Sequence, residues 1–231
     1  MNEFIGRVTG FEKKVYAEGR DLYAKLANDG QFPKTLIISC ADSRVVPEHI
    51  MQAAPGDLFV CRNAGNIVPP YSSANGGVTS TVEYAVLVLG VTDIIVCGHS
   101  DCGAMKGLAA DPAALDGMPN VAAWLRHGSA ARQVVDKSYP PMDARKRVRA
   151  ISLENVVAQL AHLRTHPSVA ARLSSGEIAL HGWFVDIHDG IILALDGDTG
   201  RFVPIREDVP MPVAHAASRR LAADFIAEAA E

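Results

Sequence analysis

Three observations predict an α/β fold with a mostly parallel central β-sheet, an antiparallel edge strand, flanking helices and an N-terminal helical arm. Short β-rich runs alternate with longer helical ones along the chain. The β-rich runs Thr35 to Ser39, Asp57 to Cys61, Asp93 to Cys97 and Ile178 to Asp186 are apolar enough to be buried strands. Asp189-Gly190, a strong short turn signal, then leads into Ile191 to Leu195, which returns as a hairpin and supplies the antiparallel strand.

Taken in order, residues 2–29 carry Phe4, Val8, Phe11, Val15, Leu22 and Leu26 at roughly helical spacing, so residues 1–30 read as a helical arm. The pattern leaves open whether that arm covers a partner subunit or its own core. Helices are expected at Pro47 to Gln52, Val78 to Leu89, Asn120 to Arg132 and Asp143 to Thr165, between and beside the strands. Ala214 to Ala229, Ala-rich with Leu221 and Phe225 four apart, reads as a C-terminal helix over 215–231. With 231 residues, 48% of them hydrophobic, and no repeat, low-complexity tract or linker, residues 1–231 are expected to form a single domain with a sizeable core.

The formal net charge of −4 and the lack of a long basic run argue against a nucleic-acid surface. The densest cluster, Arg145-Lys146-Arg147-Val148-Arg149, reads as a solvated helix face. No apolar segment reaches membrane length, and the first residues mix charge with apolar groups rather than forming a signal-peptide core, so a soluble, cytoplasmic protein is expected. In a reducing compartment the four cysteines point to metal or thiolate roles rather than disulfides.

Two strand ends carry chemistry. Cys40-Ala41-Asp42-Ser43-Arg44 follows the first strand, and Gly98-His99-Ser100-Asp101-Cys102-Gly103 follows the third. If these strands are neighbours, Cys40, His99 and Cys102 converge at the carboxyl ends of a parallel sheet, where α/β proteins bind ligands. Two thiolates and an imidazole form a known catalytic zinc set that leaves a fourth position for water or substrate, or for Asp42. Arg44, two residues on, can hold the Asp42 carboxylate in a bidentate fork instead. An isolated Asp-x-Arg is an ordinary turn salt bridge, and the adjoining Cys40 gives it more weight. Cys61 and Cys97 end apolar runs without polar companions and read as buried small residues. Histidines 49, 127, 162, 166, 181, 188 and 215 show no comparable pairing and read as surface or satisfied core groups, one of which is free to assist proton transfer.

CADSR, FVCRNAGNIVPPY, STVEYAVLVLG and VCGHSDCGAMKG together resemble a β-class carbonic anhydrase, tightly over about residues 31–108 and loosely through LHGWFVDIHDG. The resemblance implies Zn2+ held by Cys40, His99 and Cys102, with Asp42 as interchangeable fourth ligand and Arg44 as its partner. It implies zinc-dependent reversible hydration of carbon dioxide to bicarbonate and a proton by hydroxide on the metal, gated by the Asp42–Arg44 dyad. It also implies a narrow substrate pocket: Gln31 donating an amide hydrogen bond, Phe59 and Tyr84 as aromatic walls, and Ala64 and Gly103 as small lining positions. In the family these come from both subunits of a dimer with exchanged N-terminal helices, so a homodimer or homotetramer with its active site at the subunit interface is expected. Some members bind bicarbonate at a second, inhibitory site helped by a tryptophan three positions before the first zinc cysteine. Ile37 stands there, although Arg62 matches another part of that site, so the resemblance is to the plant-type, non-allosteric branch. Asp42 is then expected on Arg44 near neutral or alkaline pH. Hydrolysis of carbon disulfide or carbonyl sulfide, and a closed zinc module without catalysis, are the alternative readings. A zinc deaminase is disfavoured by the absence of its His-x-Glu and Pro-Cys-x-x-Cys pattern, and nucleotide binding by the absence of Gly-x-Gly-x-x-Gly.

Overall fold

The computed structural model describes residues 1–72 and 76–214, so the expected C-terminal helix over 215–231 lies outside the described residues. Among the described residues the six strands are β1 (Thr35–Cys40), β2 (Leu58–Asn63), β3 (Asp93–His99), β4 (Ala179–Asp186), β5 (Ile191–Asp196) and β6 (Arg201–Pro204). They form one sheet in the order β2-β1-β3-β4-β5-β6. The first four are parallel, and the expected hairpin at Asp189-Gly190 sets β5 antiparallel to β4. β6, antiparallel to β5, went unanticipated. Its four residues are too few to show a period, and its terminal Pro204 suits only an edge.

The helices are α1 (Asn2–Gly10), α2 (Arg20–Asp29), α3 (Pro47–Ile50), α4 (Gly77–Tyr84), α5 (Gly103–Ala109), α6 (Pro119–Leu125), α7 (Ser129–Ser138), α8 (Ala144–Leu163) and α9 (Pro167–Ser174). Wider turns continue α1 through Phe11–Tyr16 and α4 through Ala85–Leu89. Two expectations need correcting. The helix expected over Asn120 to Arg132 is broken into α6 and α7 around Gly128, where a Cβ would stand 2.9 Å from Leu108 Cδ2 and 3.2 Å from Asn155 Oδ1. Close packing there overrides local propensity. The basic run is also less solvated than expected, because Arg147 bonds Asp136 and the Ala109 carbonyl while Arg149 bonds Asp186. α5 and α9 were not anticipated.

The longest helix, α8, begins at an Asp143 cap whose Oδ1 accepts from the Lys146 N–H at 2.9 Å. It packs on β3 and β4 on one side and on α5 and α7 on others, so it is buried nearly all round. Ile151, Leu153, Val156, Leu160 and Leu163 each contribute roughly 1.5–3 kcal/mol by leaving water. The closest approach is at Gly98 on β3 and Gly182 on β4, where a Cβ would meet Val156 methyls at 2.7 and 2.9 Å. Only glycine there lets α8 lie directly behind the carboxyl ends of the sheet.

The opposite sheet face buries Ile37, Ile95, Cys97, Trp183 and Val185. The arm is different: Phe4, Ile5, Val8, Phe11 and Val15 stand exposed, Val8 at 69%. Among the described residues no helix is long and apolar enough to cross a membrane.

Candidate metal centre

From β1 the chain moves outward to β2, then returns past β1 to β3, so the carboxyl ends of β1 and β3 flank a topological switch point. Ser39 pairs with Cys97, which sets Cys40 and His99 at the ends of adjacent strands. Cys102 lies just before α5, and its sulfur is 4.0 Å from that of Cys40. With the His99 ring, the ligand atoms lie within 4.8 Å of one another, all from buried residues.

The donor set fits a tetrahedral cation. Two sulfurs each about 2.3 Å from a zinc ion at the tetrahedral angle stand about 3.8 Å apart, close to the spacing seen. His99 Nδ1 lies 2.8 Å from the Ser100 carbonyl, which can only accept, so this nitrogen carries a proton and donates. Nε2 is buried and, among the described residues, without a hydrogen-bond partner. An orphaned imidazole nitrogen beside two sulfurs is what a metal ion would satisfy.

The sulfurs respond to each other. The Cys102 thiol is the main influence drawing the Cys40 pKa down to about 4; burial opposes it, and His99 and the Gly65 and Asp42 N–H groups assist. Cys102 is pushed up, first by the Cys40 thiolate and then by burial. One proton is thus shared where a divalent cation would displace it and bind two thiolates. The other cysteines behave as expected of buried residues: burial raises Cys61, and burial followed by the Cys40 charge lifts Cys97 to about 12.

Asp42 lies beside this group, its Oδ2 4.0 Å from His99 Nε2. Arg44 donates from Nε to Oδ1 at 2.9 Å and from its terminal nitrogen to Oδ2 at 2.8 Å, while the Arg44 backbone N–H adds a third bond at 3.0 Å. These bonds, the guanidinium's first, hold the Asp42 carboxyl well below the usual carboxylate range. Ala64 and Gly103 are exposed at the rim, and a Cβ on Gly103 would meet nothing within 4 Å. Phe59, with Tyr84 against it, is not brought to the ligand group within this chain, and Gln31 precedes Thr35, at the end of β1 opposite Cys40. Phe59 pairs with Leu36, whereas Cys40 pairs with Asn63, four residues further along β2. That separation is about 13 Å. Phe59 and Tyr84 do meet each other, with ring centroids 5.9 Å apart.

Two residues, Asp101 and Arg62, take roles at the site that the sequence does not indicate. Asp101 accepts from Arg44 at 3.1 Å and pairs with Lys106, and it adopts a left-handed φ of 58° to do so. Its position beside Cys102 was the available signal. Arg62 donates from Nε to the Cys40 carbonyl at 3.1 Å and from one terminal nitrogen to the carbonyls of Asp42 and Val45 at 2.8 and 2.7 Å, which braces the loop carrying Asp42. Among the histidines, His162, His166 and His181 are satisfied by Val68, Pro69 and Asp93, while His188 is exposed beside Asp189. His215 lies outside the described residues.

Residues 35–192 match the carbonic anhydrase family. The chain is 51% identical over 207 residues to a carbonic anhydrase of Pseudomonas aeruginosa, covering 90% of this chain and 93% of that one. Its fold is similar to the β-carbonic anhydrase CcaA, with a TM-score of 0.89 and 40% identity over 94% of this chain and 97% of that one. It is also similar to a tetrameric β-carbonic anhydrase of Sordaria macrospora, with a TM-score of 0.75 and 31% identity over 84% and 98% of the two chains.

Proposed function

The chain belongs to the carbonic anhydrase family, whose members are lyases that hydrate carbon dioxide, and from that premise we propose that Cys40, His99 and Cys102 hold a zinc ion beside an Asp42–Arg44 gate. The observation that carries the reading is the unpartnered, buried His99 Nε2 facing two sulfurs, with an arginine-held carboxylate 4.0 Å away. A zinc ion bound there supplies the Lewis acidity that makes hydroxide available from water near neutral pH.

The protein's own groups then do three things. Arg44 keeps Asp42 ionised and turned toward itself, leaving the fourth ligand position open. Asp42 Oδ2 accepts the remaining proton of the nucleophile as a hydrogen bond, so a lone pair rather than a hydrogen faces carbon. The Gln31 amide donates to the substrate oxygen on which negative charge develops, while Phe59 and Tyr84 give an apolar, uncharged substrate a water-poor wall. The product proton passes to buffer.

Gln31, Phe59 and Tyr84 reach the ligand group from a second copy of the chain in this reading. Its support is the distance of Phe59, which Tyr84 contacts, from Cys40 along the sheet in one chain, together with the exposed apolar arm. A homo-oligomer, dimer or dimer of dimers, follows. All four cysteines are free, and ligation needs two of them as thiolates, which supports a reducing, cytoplasmic setting.

Stopped-flow carbon dioxide hydration with a pH indicator, at pH 7 and 8.5 on protein of known zinc content, tests the proposal. The expected result is activity that rises with pH and vanishes in Cys40→Ala. Zinc-loaded protein inactive at both values would move the assignment to carbon disulfide or carbonyl sulfide, or to a non-catalytic zinc module.

A further inference from the structure

The Cys40 sulfur receives a hydrogen bond from outside the ligand group, from the Gly65 N–H at 3.3 Å. Gly65 sits at a left-handed φ of 84°, and a Cβ there would come within 2.9 Å of Ala104 and Met105. Its carbonyl is anchored from behind by Asn155 Nδ2 at 3.0 Å. Asn155 in turn accepts through Oδ1 from Gln159 Nε2 at 2.9 Å, which fixes the end of the Asn155 amide that faces Gly65. Gln159 Oε1 takes the Val68 N–H at 2.9 Å, and its Nε2 also reaches the His127 carbonyl at 3.3 Å. Both amides are 0% exposed on α8, and every polar end of each is bonded. A buried polar network is favourable only when complete, so these residues specify one arrangement of residues 64–68.

We propose that Asn155 is a positioning residue of the metal centre: by holding the Gly65 carbonyl it keeps the Gly65 N–H on the Cys40 sulfur. It thereby sets how much charge that sulfur gives a bound cation. The proposal rests on the reading of Cys40, His99 and Cys102 as metal ligands. Two thiolates neutralise a divalent cation and blunt its acidity. An N–H directed at one of them draws charge back from the metal, and partners at one remove commonly govern a site's affinity. α8 reaches this position because Gly98 and Gly182 admit Val156, so the helix that packs the sheet also sets the ligand loop.

The test uses full-length holoenzyme carrying Asn155→Asp or Asn155→Ala. Asn155→Asp keeps the shape and the Gln159 bond but turns an acceptor toward the Gly65 carbonyl. Zinc affinity is measured by competition with a chromophoric chelator, and the sulfur-to-cobalt charge-transfer band is recorded after cobalt(II) substitution. Folding is checked by circular dichroism. Both variants should bind zinc about 10- to 100-fold more weakly, because Gly65 no longer holds the Cys40 sulfur in place, and should show a band displaced by the lost N–H bond. Leu160→Ala, a core truncation on the same helix, should leave the band where it is. Folded Asn155 variants with wild-type affinity and band would overturn the proposal. If neither variant folds, amide hydrogen exchange of the wild-type zinc protein decides: Gly65 should be as protected as the β1 amides, and exchange at the rate of an exposed loop would overturn it. A wild-type cobalt protein without any sulfur charge-transfer band would instead remove the ligand assignment itself.

Discussion

Asp42 has two destinations within reach, the Arg44 fork at 2.8 and 2.9 Å and the ligand group whose His99 nitrogen is 4.0 Å away. In the fork it remains anionic across the neutral range, since Arg44 holds its carboxyl well below the usual range. An asparagine offers one acceptor oxygen and turns an NH2 toward a guanidinium that can only donate, so the bidentate geometry is lost. Asp42→Asn should therefore keep its metal and lose about 10²–10⁴-fold in kcat, the usual contribution of a positioned proton acceptor. Stopped-flow rates beside metal analysis check this, and full activity with full metal would remove Asp42 from the mechanism. At this scale legibility followed chain distance. Cys40, Asp42 and Arg44 lie within five residues, as His99 and Cys102 lie within four, so the chemistry of each group was visible locally. Asp101 meets Arg44 across 57 positions and Asn155 meets Gly65 across 90, and no local pattern announces such pairs.

Among the elements, α8 carries the most consequences, because it joins the core to the ligand loop through side chains of mixed polarity. His162, near its end, lies with Nδ1 2.7 Å from the Val68 carbonyl and 3.1 Å from Gln159 Oε1. Burial is the largest influence on this ring and lowers its pKa below the ordinary 6.5; the Val68 carbonyl opposes that, while His127 and His166 add to it. His127 is lowered as well, by burial first and Arg126 second. A base with a depressed folded-state pKa is stabilising when neutral, so its contribution is present above about pH 6.5 and is lost as pH falls toward the folded value. The urea midpoint of chelator-treated protein should fall more steeply as pH drops below about 6.5 than it does between pH 8 and 7, where only the lowered Cys40 thiol contributes. His162→Gln should flatten that fall, and an unchanged slope in the variant would assign the acid sensitivity elsewhere. Apolar runs stop short of the ends of β2 and β3, because Arg62, Asn63, Gly98 and His99 continue the ladder without apolar side chains. The division of α6 from α7 depends on Gly128 packing against Leu108 and Asn155, a tertiary fact with no sequence period.

For the whole molecule, the question left open by the sequence was what the N-terminal arm covers. The exposed Phe4, Ile5, Val8, Phe11 and Val15 show that its apolar side chains are not buried on this chain. Burying such side chains is worth roughly 1.5–3 kcal/mol each, enough together to favour a second subunit. The same second copy would deliver Gln31, Phe59 and Tyr84, so metal ligands and pocket walls of one site would belong to different chains. Complementation separates that arrangement from a self-contained subunit. One chain carries Cys40→Ala and cannot assemble the ligand group but keeps its walls; the other carries Gln31→Ala and Tyr84→Ala and keeps its ligands. Co-expressed with different affinity tags and purified through both, the hybrid dimer pairs the intact ligands of the second chain with the intact walls of the first. By two-fold symmetry the hybrid then contains one complete site and one doubly defective one, and its rate per dimer should be about half that of the wild type. If each chain built its own site, every site in the hybrid would carry a defect, and its rate would stay at the average of the two parents. Recovery would therefore place the working unit of this enzyme at the dimer, and a rate at the parental average would confine it to the single chain and leave the arm to stability alone.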